Sequence, residues 1–313
     1  MSPDRASDSR TQTAPGDEAT AQRRPDGGEP LAEQDRSRSA TTADGTVSVI
    51  TVIESLLRRE LRTAVLTPAV AVLGAITAVV VLGLTIVGGG YRAGYVAVII
   101  ELLVPVQLLV PVLAFALGYS AVWGDKRRGG LDVLRTYPVS PWQYITATFL
   151  GRGSALVVLL SVPLSVVLML TAVGGQPPLP MYASHTMGDS PLLFVRMALL
   201  TILFALVMLA VGIAMSSLVG TSRGALIGGA TVVLVLAFGL DLAIMQGFSL
   251  GVLDSLSTAL ALSPLSAYRG LVLQTAVLST TGTGPQAAAP LVSLVSLLVW
   301  GVGSLLVATR VIK

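Results

Sequence analysis

The sequence predicts an all-α, polytopic membrane protein: six transmembrane helices, an N-terminal interfacial helix, and a re-entrant helical pair before the last span. Three observations predict it. Of 313 residues, 53% are apolar and 12% charged, with a mean hydropathy of +0.80; a soluble domain is typically about a quarter charged. Six segments hold the roughly 20 apolar residues needed to cross a hydrocarbon core. The basic residues collect in alternate connectors, the pattern of a membrane protein with a fixed orientation.

Residues 1–46 hold six basic and nine acidic residues, no aromatic residue and almost no Ile, Leu or Val. Such a segment buries too little apolar area to offset its ordering entropy, so it is expected as a disordered cytoplasmic tail. It has no apolar h-region, so Arg23-Arg24 is not read as an export signal. Residues 47–313 form the transmembrane domain. Its first element is a helical stripe of Ile50, Ile53, Leu57 and Leu61, with Arg58, Arg59 and Arg62 off the stripe. That pattern fits a helix lying in the membrane interface and turning into the first span near Pro68.

The expected spans are 66–87, 95–123, 148–173, 191–219, 224–246 and 287–309. Arg58, Arg59 and Arg62 precede the first. Lys126, Arg127, Arg128 and Arg135 follow the second, and Arg152 starts the third. Arg223 lies between the fourth and fifth, and Arg310 and Lys313 end the chain. All fall on one side, against Arg92, Arg196 and Arg269 on the other, so both termini are expected in the cytoplasm and the protein in the plasma membrane. The outer region 247–286 is too apolar for an ordinary loop. Its two runs, 250–262 and 265–278, are each too short to span and are broken at Ser263-Pro264. They read as a re-entrant pair; two tilted spans would keep the same topology.

The chain has no cysteine and one histidine, which excludes thiol chemistry and leaves no zinc-hydrolase ligand set. Its only lysines, Lys126 and Lys313, stand in no Gly-Lys-Ser/Thr context, so no P-loop is present. Any ATP is therefore bound by another chain, and no cofactor is expected in this one. The basic balance follows from the cytoplasmic connectors and implies no nucleic-acid partner; the partner it implies is the lipid bilayer. Met181, His185 and Met187 offer soft ligands suited to copper(I), but their spacing matches no strict motif. They read as part of a solvated loop, and no metal site is expected.

Glu101, Arg152, Arg196 and Asp241 lie near span ends and read as interfacial or snorkelling groups. A proton or ion pathway through Glu101 or Asp241 is the alternative. In the second span, Pro105 and Pro111 flank Gln107, and each proline removes a backbone hydrogen bond. The result is either a bend beside a pathway or a static kink.

The connector 124–147 concentrates charge, a Gly-Gly pair and two prolines. Leu131, Val133, Leu134 and Tyr137 give a short helix an apolar face fit for a partner's groove. Asp125, Lys126, Arg127 and Arg128 form its polar rim, and Pro138 and Pro141 end it and turn the chain toward the third span. A mere basic anchor explains the charges but neither that face nor the glycines and prolines.

The stretch from Tyr119 to Arg152 resembles the loop after the second span of ABC type-2 permeases. There, an acidic–basic run, a Gly-Thr-like pair, a short helix and Pro-Val-Ser precede a segment ending in Gly-Lys. Asp125, Arg127, Gly129, Leu131, Leu134, Pro138, Val139 and Ser140 occupy those places. Leu262–Leu273 is similar to the Asn-Pro-x-x-x-Tyr/Phe-Arg segment of the permeases linked to copper-site assembly of nitrous oxide reductase. Gly130, Pro141, Arg152 and Ser263 depart from the common Thr, Arg, Lys and Asn. The resemblance implies a non-catalytic permease whose loop docks on a separate ATPase subunit. It also implies pairing as a homodimer, or as a heterodimer with a second permease. An ion-gradient-driven secondary transporter or channel is the competing class.

Overall fold

The computed structural model describes residues 68–119, 121–127, 140–174, 189–251, 255–277 and 289–312. The tail 1–46 and the interfacial helix expected before Pro68 lie outside these residues. In order come α1 (Pro68–Gly88), α2 (Gly90–Ala93), α3 (Tyr95–Gly118), α4 (Trp123–Arg127), α5 (Pro141–Gly174) and α6 (Pro191–Leu218). There follow α7 (Ser222–Leu234), a π-helical segment (Val235–Gly239), α8 (Leu240–Ser249), α9 (Leu256–Leu260), α10 (Pro264–Val272), a second π segment (Leu273–Val277) and α11 (Pro290–Ile312). No strand occurs among the described residues.

Among the described residues five helices, α1, α3, α5, α6 and α11, are long and apolar enough to cross a membrane. Their outer faces bear this out. Val158, Val162, Val166, Met169 and Val173 form an exposed stripe along α5. A water-facing helix puts polar residues there, so the stripe faces lipid and the chain is a multi-pass membrane protein. The fifth expected span is helical over 222–249 but built in three pieces, because the π segment adds a residue to the turn at Val235–Gly239. Such bulges interrupt the regular ladder and are frequent at functional sites.

The third span begins at Pro141 rather than near residue 148. Ser140 and Gln143 form a reciprocal cap, with Ser140 N–H donating to Gln143 Oε1 (2.9 Å) and Gln143 N–H to Ser140 Oγ (3.4 Å). Two donors that a helix start leaves orphaned are thereby satisfied. Pro141, expected with Pro138 to end the connector's short helix, is the first residue of α5, where a missing N–H costs nothing.

The core is built around α6, which packs against α3, α5, α7, α10 and α11. Phe194, Met197, Phe204, Leu209 and Ile213 on it are almost wholly buried. Toward its C-terminal end it crosses α3 at Gly118 and Gly212, where a Cβ added to Gly118 would stand 3.0 Å from the Gly212 Cα. The backbones touch because neither residue has a side chain, the small-residue contact typical of packed membrane helices. At the other end, Asp189, just before α6, caps the start of α3 by accepting from Tyr95 N–H (2.8 Å) and Val96 N–H (3.1 Å). Gly94 reaches that cap with φ of 112°, a value that L side chains avoid. The two longest-packed helices are thus tied at both ends.

Candidate functional site

Two polar clusters stand out in this apolar bundle, one at each end of α6. The first lies where the connector after α3 begins. The N–H groups of Val122 and Trp123, at the start of α4, both donate to the buried Ser216 Oγ of α6, each at 3.0 Å. Helix starts leave such donors unpaired; here a hydroxyl 94 and 93 residues away caps them. Lys126 Nζ donates to the Ser217 carbonyl (2.6 Å) in the last turn of α6, where an ammonium also complements the helix dipole. Tyr144 of α5 donates its hydroxyl to Asp125 Oδ2 (2.9 Å), and Arg152 of α5 donates to the Leu117 carbonyl near the end of α3. The Arg127 guanidinium lies 5.6 Å from the centre of the Trp123 ring. Through these bonds α4 joins the end of α6 and the first turn of α5, and α5 in turn holds the end of α3.

The second cluster lies toward the opposite end, where α10 packs between α6 and α11. The Leu262 carbonyl accepts from Ser296 Oγ (3.1 Å) and Trp300 Nε1 (3.0 Å). Those residues stand six and ten positions into α11, or about 9 and 15 Å along it. Tyr268, wholly buried, stacks on Phe204 with ring centroids 4.7 Å apart. Its hydroxyl lies 2.9 Å from Thr201 Oγ1. The Thr201 proton goes to the Met197 carbonyl, so Tyr268 is the donor. Beside it, Ser266 donates to Asp241 Oδ2 (2.6 Å) and accepts from Arg269 Nη2 (3.3 Å). Arg269 approaches Asp241 Oδ2 only to 3.9 Å. The other carboxylate oxygen, Oδ1, is buried without a hydrogen-bond partner. Asp241 sits eight residues before the end of α8, about 12 Å in, and two residues after the π segment. One of its oxygens is thus bonded and the other is not.

The other expected residues distribute as follows. Asp125 and Arg127 lie on α4; Arg128, Leu131, Leu134, Tyr137 and Pro138 fall outside the described residues, as do Met181, His185 and Met187. Glu101 accepts from Gly90 N–H (3.1 Å), and a methyl at Gly88 or Gly90 would overlap its carboxylate. It closes the turn between α1 and α3. Gln107 and Pro111 are buried within the bundle and Pro105 is half-buried. The two prolines free the carbonyls of Glu101 and Gln107, four residues back, while α3 continues through both. Sequence reasoning missed Ser216, Tyr144 and Ser266. The Ser-x-x-Gln cap at 140–143 was a readable signal; the Ser216 contacts, made across more than ninety residues, had none.

The family model described as ABC-2 family transporter protein matches residues 12–312. The chain belongs to the ABC-2 transporter family. No curated protein matches it. As an ABC-2 family member the chain is the membrane permease component of an ABC transporter, and its family implies an ABC ATPase as partner.

Proposed function

We propose that this ABC-2 permease receives the motion of a separate ATPase subunit through connector 124–147 and passes it to α6 by way of α4. The observation that carries the reading is the pair of Ser216 bonds, which make the connector's first helix part of the end of α6 rather than a free extension of α3. Leu131, Leu134 and Tyr137 supply the apolar face for the ATPase groove, and Asp125, Arg127 and Arg128 its rim. Nucleotide-driven closure of two ATPases moves two such connectors together, in a pair formed by two copies or by one copy and a related permease. The chain adds no catalytic group of its own.

In this reading the run 222–249 is the fifth of six spans, since its 28 residues are helical throughout and long enough to cross. Helices α9 and α10 form a re-entrant hairpin whose turn, at Leu262, is held at depth by Ser296 and Trp300. Both termini are cytoplasmic, in the plasma membrane. Kinship with the copper-related subgroup rests on 262–273, where Ser263 stands for that subgroup's Asn, so the cargo is argued from this chain's own residues. The test is capture from membranes in mild detergent. A P-loop ATPase co-purifies with the full chain, and Leu134→Asp abolishes its recovery at unchanged expression; recovery equal in the two would overturn the docking face. The gradient-driven alternative, which would use Asp241 or Glu101, requires transport to persist when ATP is depleted while the proton gradient is held constant.

A further inference from the structure

Asp241, Ser266 and Arg269 are not absorbed by the coupling role. Asp241 offers one carboxylate oxygen that is buried and unpartnered, while its other oxygen is occupied by Ser266. Arg269 spends one donor on Ser266, stays 3.9 Å from the carboxylate, and leaves its side chain 42% exposed against 17% for Asp241. A half-exposed guanidinium next to Tyr268, which bonds about 15 Å into α6, cannot face acyl chains cheaply. Its 42% exposure leaves the Arg269 side of the cluster accessible. The remaining buried polar side-chain atoms without partners among the described residues, Ser263 Oγ, Gln274 Oε1 and Ser293 Oγ, belong to the same hairpin, its π segment and the helix it packs on. Native interiors satisfy nearly all such groups, and of these the Asp241 oxygen is the one that stands beside a guanidinium.

We propose that this cluster is the substrate subsite of the permease and takes a zwitterionic group, an ammonium on Asp241 Oδ1 and an anionic phosphate or carboxylate on the Arg269 guanidinium. Ser266 is the spacer. By bonding both side chains it keeps them from collapsing into a close ion pair, which would use up both charges. An anionic ligand alone would meet the Asp241 carboxylate, and a cationic one alone would meet Arg269; a zwitterion satisfies both. The guanidinium fork suits phosphate or carboxylate oxygens. The π segment just before Asp241 turns its carboxylate toward Ser266 without breaking the helix.

This inference rests on the transport reading, but its test uses the chain alone, without ATP or ATPase, so its failure leaves the coupling reading standing. The full chain, purified in detergent, is titrated with three probes: dihexanoyl phosphatidylethanolamine, dihexanoyl phosphatidylglycerol and free phosphoethanolamine. The phosphatidylethanolamine probe binds about tenfold or more tighter than the phosphatidylglycerol one, the effect of one charge-assisted contact. Asp241→Asn erases that preference and Asp241→Glu keeps it. Arg269→Gln, at a half-exposed position, weakens both lipids. Free phosphoethanolamine binding as well as the lipid assigns a soluble zwitterion; binding of the lipid alone assigns a headgroup. Equal affinity for the two lipids overturns the proposal, as does an unchanged preference in Asp241→Asn or an unchanged affinity in Arg269→Gln.

Discussion

The two ends of α6 treat polar groups in opposite ways. At the connector end, the α4 donors, the α6 carbonyl, the Asp125 carboxylate and the Tyr144 hydroxyl all have partners, drawn from three helices. At the α10 end, a carboxylate oxygen, an amide oxygen and two hydroxyls are buried without any. The low dielectric of a bundle strengthens a satisfied network and penalises an incomplete one. The first end is therefore a stiff joint, suited to passing on force. The second stays chemically open, and the energy it forgoes is available to a ligand.

The difference can be broken in steps. The largest effect is expected at the crossing above the joint. Gly212→Leu forces a side chain into the Gly118 backbone and lowers stability by about 3 kcal/mol or more. Gly83→Leu, where nothing lies within 4 Å of an added Cβ, leaves the melting temperature in detergent unchanged. Next, Ser216→Ala orphans two buried N–H groups and costs about 1–3 kcal/mol. The ATPase is still captured, but its turnover no longer responds to the permease, while Ser216→Thr retains the acceptor and the response. Tyr268→Phe removes one hydrogen bond but keeps the Phe204 stack, a loss of about 1 kcal/mol read by thermal unfolding. At the open end the sign reverses. Asp241→Leu combined with Arg269→Met removes an ill-paired couple and leaves stability unchanged or raised by about 1 kcal/mol, as replacing a poorly solvated ion pair often does. A marked loss there would mean that the cluster is a structural brace rather than a site.

The spans were legible because about 20 apolar residues in a row have one cheap solution, a helix in lipid; 95–118 and 191–218 match the expected limits within a few residues at each end. The break at Ser263-Pro264 was legible for a similarly local reason, since a proline starts a helix readily but does not continue one. The early start of α5 was misread because its first turns, Trp142 to Ala147, are polar enough to resemble the connector, although the Ser140–Gln143 cap announced them. The π segment left no mark in composition. Neither did the pairing of Asp241 with Ser266 or of Val122 with Ser216, because residues 25 and 94 positions apart meet only through packing that no local pattern encodes. The charged residues of the connector drew attention by their density, yet the joint hangs on a serine.

The central claim, that α4 and the end of α6 move as one body, has a direct test, made simple by the absence of cysteine from the chain. Arg127→Cys and Leu218→Cys, next to the bonded Lys126 and Ser217, are bridged by a short bifunctional maleimide in the assembled transporter, and ATP turnover is measured before and after. Turnover that survives the cross-link is the result predicted for a rigid joint; turnover that stops would show that α4 must slide against α6 and would contradict the account.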